Sequence, residues 1–392
     1  MKVLIVCNNA FTRGNGLHTA LLSLLKHLKE AGVQVRLLSV ENENPGGPQP
    51  DYPLKHFKIP VFEYLIASNG FRFGEIDEDT LVRAVIWADI LHIMEAFPLE
   101  ARIIDIAERY GKPCVATYHI FPHNVIAGAV HGGVDNPLND ILEWFWKKSV
   151  FNRCTYIHCP TEIVKRHLSE SGYTASLEVF SNGIDIPESQ IEASHGIETP
   201  PSETRRIDIL CIGRLAFEKS QETLLEAMRY SRHSREIHLH FAGKGPMEKR
   251  YRRQAERLVR NGIVRHEPEF GFYDRADLDE LIRRSYLYIH CAWAEVEGLS
   301  CLEAIRGGLV PLIADSPMSA TSQFALDERS LFPAGNPQAL ATKIDWWIEH
   351  PRERKGMGKV YADSARKYDV TLSTNSMLRM YRKALDKVDV RP

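Results

Sequence analysis

Residues 207–220 read IDILCIGRLAFEKS. Ile207 to Ile212 form a mostly apolar run of strand length, of the kind covered on both faces in a parallel sheet. Gly213 ends the run, so Arg214 and Lys219 would stand at the carboxyl end of that strand and on the loop after it. Working toward the C-terminus, IHLHFAG, IVRHEPEF, LYIHCA and LVPLIAD repeat the pattern, each separated from the next by a helix-like stretch. Working toward the N-terminus, the same alternation runs through KVLIVC, VQVRLLSV, DILHIM, PCVATYHI, TYIHC and LEVFSNGID. The first helix, GLHTALLSLLKHLKEAG, carries Leu17, Leu21, Leu25 and Leu28 at helical spacing and Gly32 as its stop. Strands alternating with helices imply right-handed crossovers and doubly wound sheets.

Residues 187–206, PESQIEASHGIETPPSETRR, have no apolar period and read as a linker. The expectation is an α/β protein of two doubly wound Rossmann-like domains, residues 1–186 and 207–371. They would face each other across a cleft lined by the carboxyl ends of their strands, where ligands bind.

Composition narrows the function classes. With 49 Lys and Arg against 51 Asp and Glu, nothing suggests a nucleic-acid binder. Hydrophobic residues at 44% and charged residues at 26% exclude a largely disordered chain. The seven cysteines contain no C-x-x-C pair and read as reduced core residues of a cytoplasmic protein. No apolar stretch approaches a signal-peptide core or a membrane span.

Several residue sets could work in the cleft. Gly14 and Gly16 fall where the first helix starts, where backbone N–H groups can approach a phosphate. The third position of a G-x-G-x-x-G dinucleotide fingerprint is Thr19, so a turn that merely needs glycine is an equal reading. Arg214 as a fork and Lys219 as a point charge could grip a diphosphate. The alternative is a solvated pair with Glu218. Gly243 and Gly245 follow another strand, in HFAGKGP. In AEVEGLSCLEAIRGG, Glu295 and Glu303 are eight apart, and Gly298, Leu299 and Ser300 between them expose N–H groups at a helix start. That places an anion site beside two carboxylates able to accept sugar hydroxyls.

GRLAFEK, GKGP and the E-x7-E segment EVEGLSCLEA resemble the signature of family 4 retaining glycosyltransferases with the GT-B fold. The N-terminal glycine loop, His119 in ATYHIFP and SNGID at 181–185 match that family in order. Glu297 stands where many members have Phe, and Ser220 where many have Gly. The resemblance implies that Arg214 and Lys219 bind the donor diphosphate and Glu303 the ribose hydroxyls. It implies that Glu295 contacts the transferred sugar and that His119 reaches the sugar from the N-terminal domain. It implies no cofactor and no metal, since cations and helix N-termini neutralise the leaving group. It implies a hexose moved from a nucleotide-diphosphate sugar, UDP-linked, to a lipid or surface-glycan acceptor. It also implies that the C-terminal helix, residues 372–392, packs back on the N-terminal domain.

Other readings stay open. A nucleotide-sugar epimerase of the same fold would alter the donor with no acceptor present. A non-catalytic binding protein would hold the nucleotide and transform nothing. His119 and His123 lack the Glu of H-E-x-x-H, so no metal is expected there. MEKRYRRQAERLVR reads as a solvated helix face rather than a phosphate or membrane patch. Trp144 to Arg153, WFWKKSVFNR, mixes aromatics with cations, as a helix lying on the inner face of the plasma membrane would. The preferred reading is a half-buried helix covering the sheet.

Overall fold

The computed structural model describes residues 1–12, 16–44, 46–58, 71–129, 136–186 and 206–389. The chain divides into two units. One is Met1–Gly183 with Val370–Pro392, and the other is Ile184–Asp369. The segment read as a linker lies, apart from Arg206, outside the described residues.

In the first unit the apolar runs become strands because both faces are covered. β1 (Lys2–Val6) buries Val3 to Val6 completely. It is followed by α1 (Gly16–Glu30), β2 (Gln34–Val40), β3 (Tyr52–Leu54), α2 (Glu78–Trp87), β4 (Ile90–Ile93), α3 (Pro98–Arg109) and β5 (Cys114–Thr117). Then come α4 (Pro122–Ala129), α5 (Leu138–Ser149), β6 (Tyr156–Cys159), α6 (Glu162–Glu170) and β7 (Ser176–Val179). The strands form one parallel sheet in the order β3-β2-β1-β4-β5-β6-β7. The order reverses between β1 and β4, which is where a doubly wound sheet opens a crevice at its carboxyl edge.

The last helix, α13 (Val370–Asp389), belongs to this unit despite its position in the chain. Met377, Leu378, Met380, Tyr381 and Ala384 join the core that contains Val3, Ile5, Leu21 and Ile90. Tyr381 Oη also lies 2.7 Å from Nδ1 of the fully buried His92, whose Nε2 meets Thr117 Oγ1 at 2.7 Å.

The second unit repeats the plan with β8 (Ile207–Ile212), α7 (Glu222–Ala227), β9 (Ile237–Ala242), α8 (Glu248–Arg260), β10 (Glu269–Gly271), α9 (Arg275–Arg284) and β11 (Leu287–His290). It continues with α10 (Leu299–Arg306), β12 (Pro311–Asp315), β13 (Leu331–Pro333), α11 (Pro337–Glu349) and α12 (Pro351–Ser364). The parallel sheet runs β10-β9-β8-β11-β12-β13, with its switch point between β8 and β11. Two parallel sheets whose strands alternate with helices are the architecture the alternation predicts. The three-residue edge strands β3 and β13 carry no readable period, and IVRHEPEF contributes to the sheet only as β10.

The basic run read as a solvated helix is α8, which buries Tyr251, Ala255 and Leu258 and leaves its cations outward. All seven cysteines are buried and free.

Candidate active site

At the switch point of the second unit two loops meet. After β8 the chain turns through Gly213 and a single 3-10 turn, Phe217–Lys219. It then passes Ser220 at φ 51°, the left-handed region that costs a residue with a Cβ. Ser220 Oγ lies 3.1 Å from Thr223 Oγ1, a local bond that helps hold it there. The loop after β9 is pressed against this one. A Cβ on Gly243 would stand 2.0 Å from the Gly213 carbonyl oxygen, and one on Gly245 would stand 2.3 Å from that of Leu215. Those two glycines are required by close backbone approach.

Arg214 is fixed at both ends. Its carbonyl accepts from Gln221 Nε2 at 2.8 Å, and its guanidinium donates to Glu218 Oε1 at 2.7 Å. Glu218 is only 1% exposed, so the pair is not the solvated one that the sequence allowed. Lys219 Nζ donates to Glu295 Oε2. Glu295 follows β11, and its Oε2 lies 3.6 Å from His290 Nε2. Burial pushes the Glu295 carboxyl up, but the Lys219 charge and the His290 contact outweigh it and hold the group at about 2. This carboxylate is charged at any physiological pH.

Gly298 begins α10 at φ 88°, and a Cβ there would come within 2.5 Å of Thr321 Oγ1. Glycine is therefore demanded twice, by conformation and by space. Leu299 and Ser300 are the first two residues of α10, where backbone N–H groups have no partner within the helix. Ser300 Oγ lies 3.0 Å from Tyr288 Oη, which also meets His290 Nδ1 at 3.0 Å. Glu303, in the next position facing the same way, is 8% exposed and ion-paired with Arg275 at the start of α9. Arg275 also reaches Asp279 at 3.1 Å, and Asp279 in turn holds the buried Arg306 at 2.8 Å.

The carboxyl edge of the second unit thus gathers Arg214, Lys219, Glu295, Gly298, Leu299, Ser300 and Glu303. Arg275 and His290 join them from positions that no local motif marks, and Glu218 joins them from within GRLAFEK.

The remaining sequence candidates lie in the first unit. Gly14 falls outside the described residues. Gly16 opens α1, is exposed, and would bring a Cβ within 4 Å of nothing, so packing does not require glycine there. His119 follows β5, and its Nε2 is buried without a hydrogen-bond partner. Burial, reinforced by His158, pushes its pKa down to about 3, so the ring is neutral. The first unit's own switch point carries two fully or nearly buried carboxylates that sequence reading missed. Asn9 N donates to Glu95 Oε2 at 3.1 Å, and Asn8 Nδ2 donates to Glu100 Oε1 at 2.7 Å. Their role is to clamp the loop after β1, since Asn8 Oδ1 also accepts from Gly74 N at 2.9 Å.

Two doubly wound units, the second with cations, carboxylates and a helix start at its switch point, define the class of the GT-B glycosyltransferases. The chain matches Glycosyltransferase Family 4 over residues 14–188 and Glycosyl transferases group 1 over residues 197–362, and it belongs to family 4 of the glycosyltransferases. It is 22% identical to the phosphatidyl-myo-inositol mannosyltransferase of Mycolicibacterium smegmatis, over 97% of this chain and 93% of that one. The structure of Anabaena Alr3699/HepE in complex with UDP-glucose matches it with a TM-score of 0.68 at 15% identity, covering 98% of this chain and 100% of the other. The catalytic domain of cholesterol-α-glucosyltransferase from Helicobacter pylori is 44% identical over 41% of this chain and 99% of that chain, with a TM-score of 0.37.

Proposed function

We propose that this glycosyltransferase moves a hexose from a UDP-linked sugar to a lipid acceptor with retention of the anomeric configuration. The observation that carries the reading is the junction of Lys219 with Glu295 beside the start of α10. A cation and N–H donors suited to a diphosphate stand next to a carboxylate suited to sugar hydroxyls. In this reading Arg214, Lys219 and the N–H groups of Leu299 and Ser300 take the diphosphate, with Gly298 shaping the turn. Glu303, oriented by Arg275, accepts the ribose hydroxyls. Glu295 faces the sugar ring.

The acceptor oxygen forms its bond to the anomeric carbon on the face from which the diphosphate leaves. The bond to the diphosphate breaks as the acceptor's proton passes to a departing phosphate oxygen. Positive charge develops on the ring in between, and the ionised Glu295 is placed to stabilise it. His119 of the first unit is neutral, so the role it can take is that of a hydrogen-bonding group rather than a charge. No cofactor enters this scheme, and no metal is assigned to the diphosphate.

UDP as the nucleotide is supported by the complex of the structural neighbour, and a lipid acceptor by the name of the mannosyltransferase relative. The helix α5 favours work at a membrane surface. Trp146 is buried, but Leu138, Ile141, Trp144 and Phe145 are exposed along one side, and Lys148 lies over the Trp144 ring. Among the described residues no helix is long and apolar enough to cross a membrane. The reading is of a peripheral enzyme at the cytoplasmic face.

The test is a thermal-shift screen with UDP-, GDP- and ADP-sugars, followed by transfer assays with lipid acceptors and assignment of the product anomer. A ligand at 100 times its Kd adds about 2.7 kcal/mol to the folded state. An altered donor sugar released without acceptor would replace this reading with the epimerase. Nucleotide binding with neither transfer nor hydrolysis would leave a binding protein.

A further inference from the structure

We propose that Asp208, His238 and His240 form a divalent transition-metal site of zinc type in the second unit, with Glu269 supporting it from outside the coordination sphere.

Strand pairing alone assembles the cluster. In the parallel ladder Asp208 of β8 is the register partner of His238 of β9, and His240 of β9 is the partner of Glu269 of β10. His238 and His240 are two apart, so they share one face of the sheet. The ligand atoms offered by Asp208, His238 and His240 all lie within 4.8 Å of one another. Asp208 is the second residue of β8, near the amino end of the strand, whereas the donor site occupies the carboxyl end. The cluster is therefore separate from the transfer chemistry.

A count of donors and acceptors points to a cation. Asp208 Oδ1 lies 3.1 Å from His238 Nδ1 and 2.8 Å from His240 Nε2. The other nitrogen of His238, Nε2, lies 3.0 Å from the Glu267 carbonyl and 3.4 Å from Glu269 Oε1. The other nitrogen of His240, Nδ1, lies 3.3 Å from Glu269 Oε2, yet makes no hydrogen bond of acceptable geometry, and this residue is 0% exposed. All four ring nitrogens thus face oxygens that only accept. Two neutral imidazoles have two N–H groups for those four positions.

The Glu267 carbonyl takes the Nε2 proton of His238, and Glu269 attracts the Nδ1 proton of His240. The remaining lone pairs, on His238 Nδ1 and His240 Nε2, then converge on the Asp208 oxygen. Three electron-rich atoms at one point are a ligand set. A tetrahedral zinc ion with bonds of about 2.0–2.1 Å sets its donors about 3.3 Å apart, close to the spacing present. The Glu267 carbonyl occupies the place of the outer group that fixes a metal-binding histidine in its tautomer, and the Glu269 carboxylate stands 3.3 Å from the outer nitrogen of His240. Imidazole ligands select zinc, cobalt or nickel over magnesium or calcium. Arg206, which also donates to Asp208 Oδ1 at 2.9 Å, is 41% exposed and can turn outward when a cation enters.

The experiment strips the full chain with a chelator and titrates it with ZnCl2 alone, with MgCl2 and CaCl2 as controls. Calorimetry and thermal melting are the readouts, and CoCl2 substitution reports the ligand field in the visible spectrum. The expected result is one zinc per chain, a raised melting temperature and a tetrahedral cobalt spectrum. Asp208→Asn and His238→Gln should each lose more than tenfold in zinc affinity, and Glu269→Gln about tenfold. Glu269 is half exposed, so its variant keeps the test decisive if a ligand variant does not fold. Absence of zinc binding overturns the proposal, as does zinc binding unchanged by these substitutions.

Discussion

Lys219 Nζ is bonded to Glu295 Oε2, 76 residues further along the chain. The pair joins the loop after β8 to the loop after β11, across the point where the strand order of the second unit reverses. It keeps Glu295 charged in a partly buried place, and it puts a cation where the proposed donor's phosphates meet its sugar.

Glu295→Gln is expected to lower kcat by on the order of a hundredfold or more, because the lost charge acts mainly as the ring gains positive charge. Nucleotide-diphosphate affinity should change little. Steady-state transfer kinetics with a UDP titration checks both halves, and full turnover in this variant would remove Glu295 from the chemistry.

Glu303→Gln should behave differently. A charge-assisted hydrogen bond is worth about 1.5–3 kcal/mol, and if the ribose uses it equally in ground and transition states, KM rises by roughly tenfold or more while kcat is kept. Because Arg275 holds Glu303, the double variant with Arg275→Met should show a coupling of about 0.5–3 kcal/mol in donor binding. Strictly additive losses would mean that the pair acts as two independent surface charges.

Acid should destabilise the first unit through its buried histidines. His119 is pushed down to about 3 and His158 to about 4, both chiefly by burial. Unfolded histidine takes up its proton near pH 6.5. Between about pH 6.5 and these folded values the unfolded chain binds more protons, so stability falls as pH falls. Denaturant midpoints from pH 7.5 to pH 4.5 should decline, and His119→Gln should flatten that decline. An unchanged pH slope would show that His119 is not held neutral.

Tyr381→Phe removes the partner of His92 Nδ1 from a fully buried site and should cost about 1–3 kcal/mol. The loss should appear in the melting of the first unit, although residue 381 is near the end of the chain. A melting curve like that of the parent protein would show that α13 contributes by packing alone.

Association with anionic vesicles is expected to be weak and salt-sensitive, with each cation near the surface contributing about 1 kcal/mol. Ile141→Asp with Trp144→Ser, both exposed on α5, should abolish flotation without changing thermal stability. Flotation that survives the double change would assign the contact to another surface.

The period of the sequence carried the architecture a long way. Short apolar runs such as Val3–Val6 fit strands covered on both sides, and leucines at helical spacing between them fit the helices that cross from one strand to the next. The glycines at 243, 245 and 298 and the eight-residue step from Glu295 to Glu303 are local patterns, so the donor-site candidates could be named before any fold was known. What the sequence could not contain was partnership over distance. The bond of Lys219 to Glu295, the hold of Arg275 on Glu303 and the packing of Tyr381 against His92 each join residues 28 to 289 positions apart. The Asp208–His238–His240 cluster is the same case, because its two ends meet only through the register of β8 on β9. Local spacing sets which backbone a residue adopts. Which buried charge meets which partner is decided by strand order and by the helix that returns to the sheet, since only the closed fold removes the water that would otherwise have satisfied them.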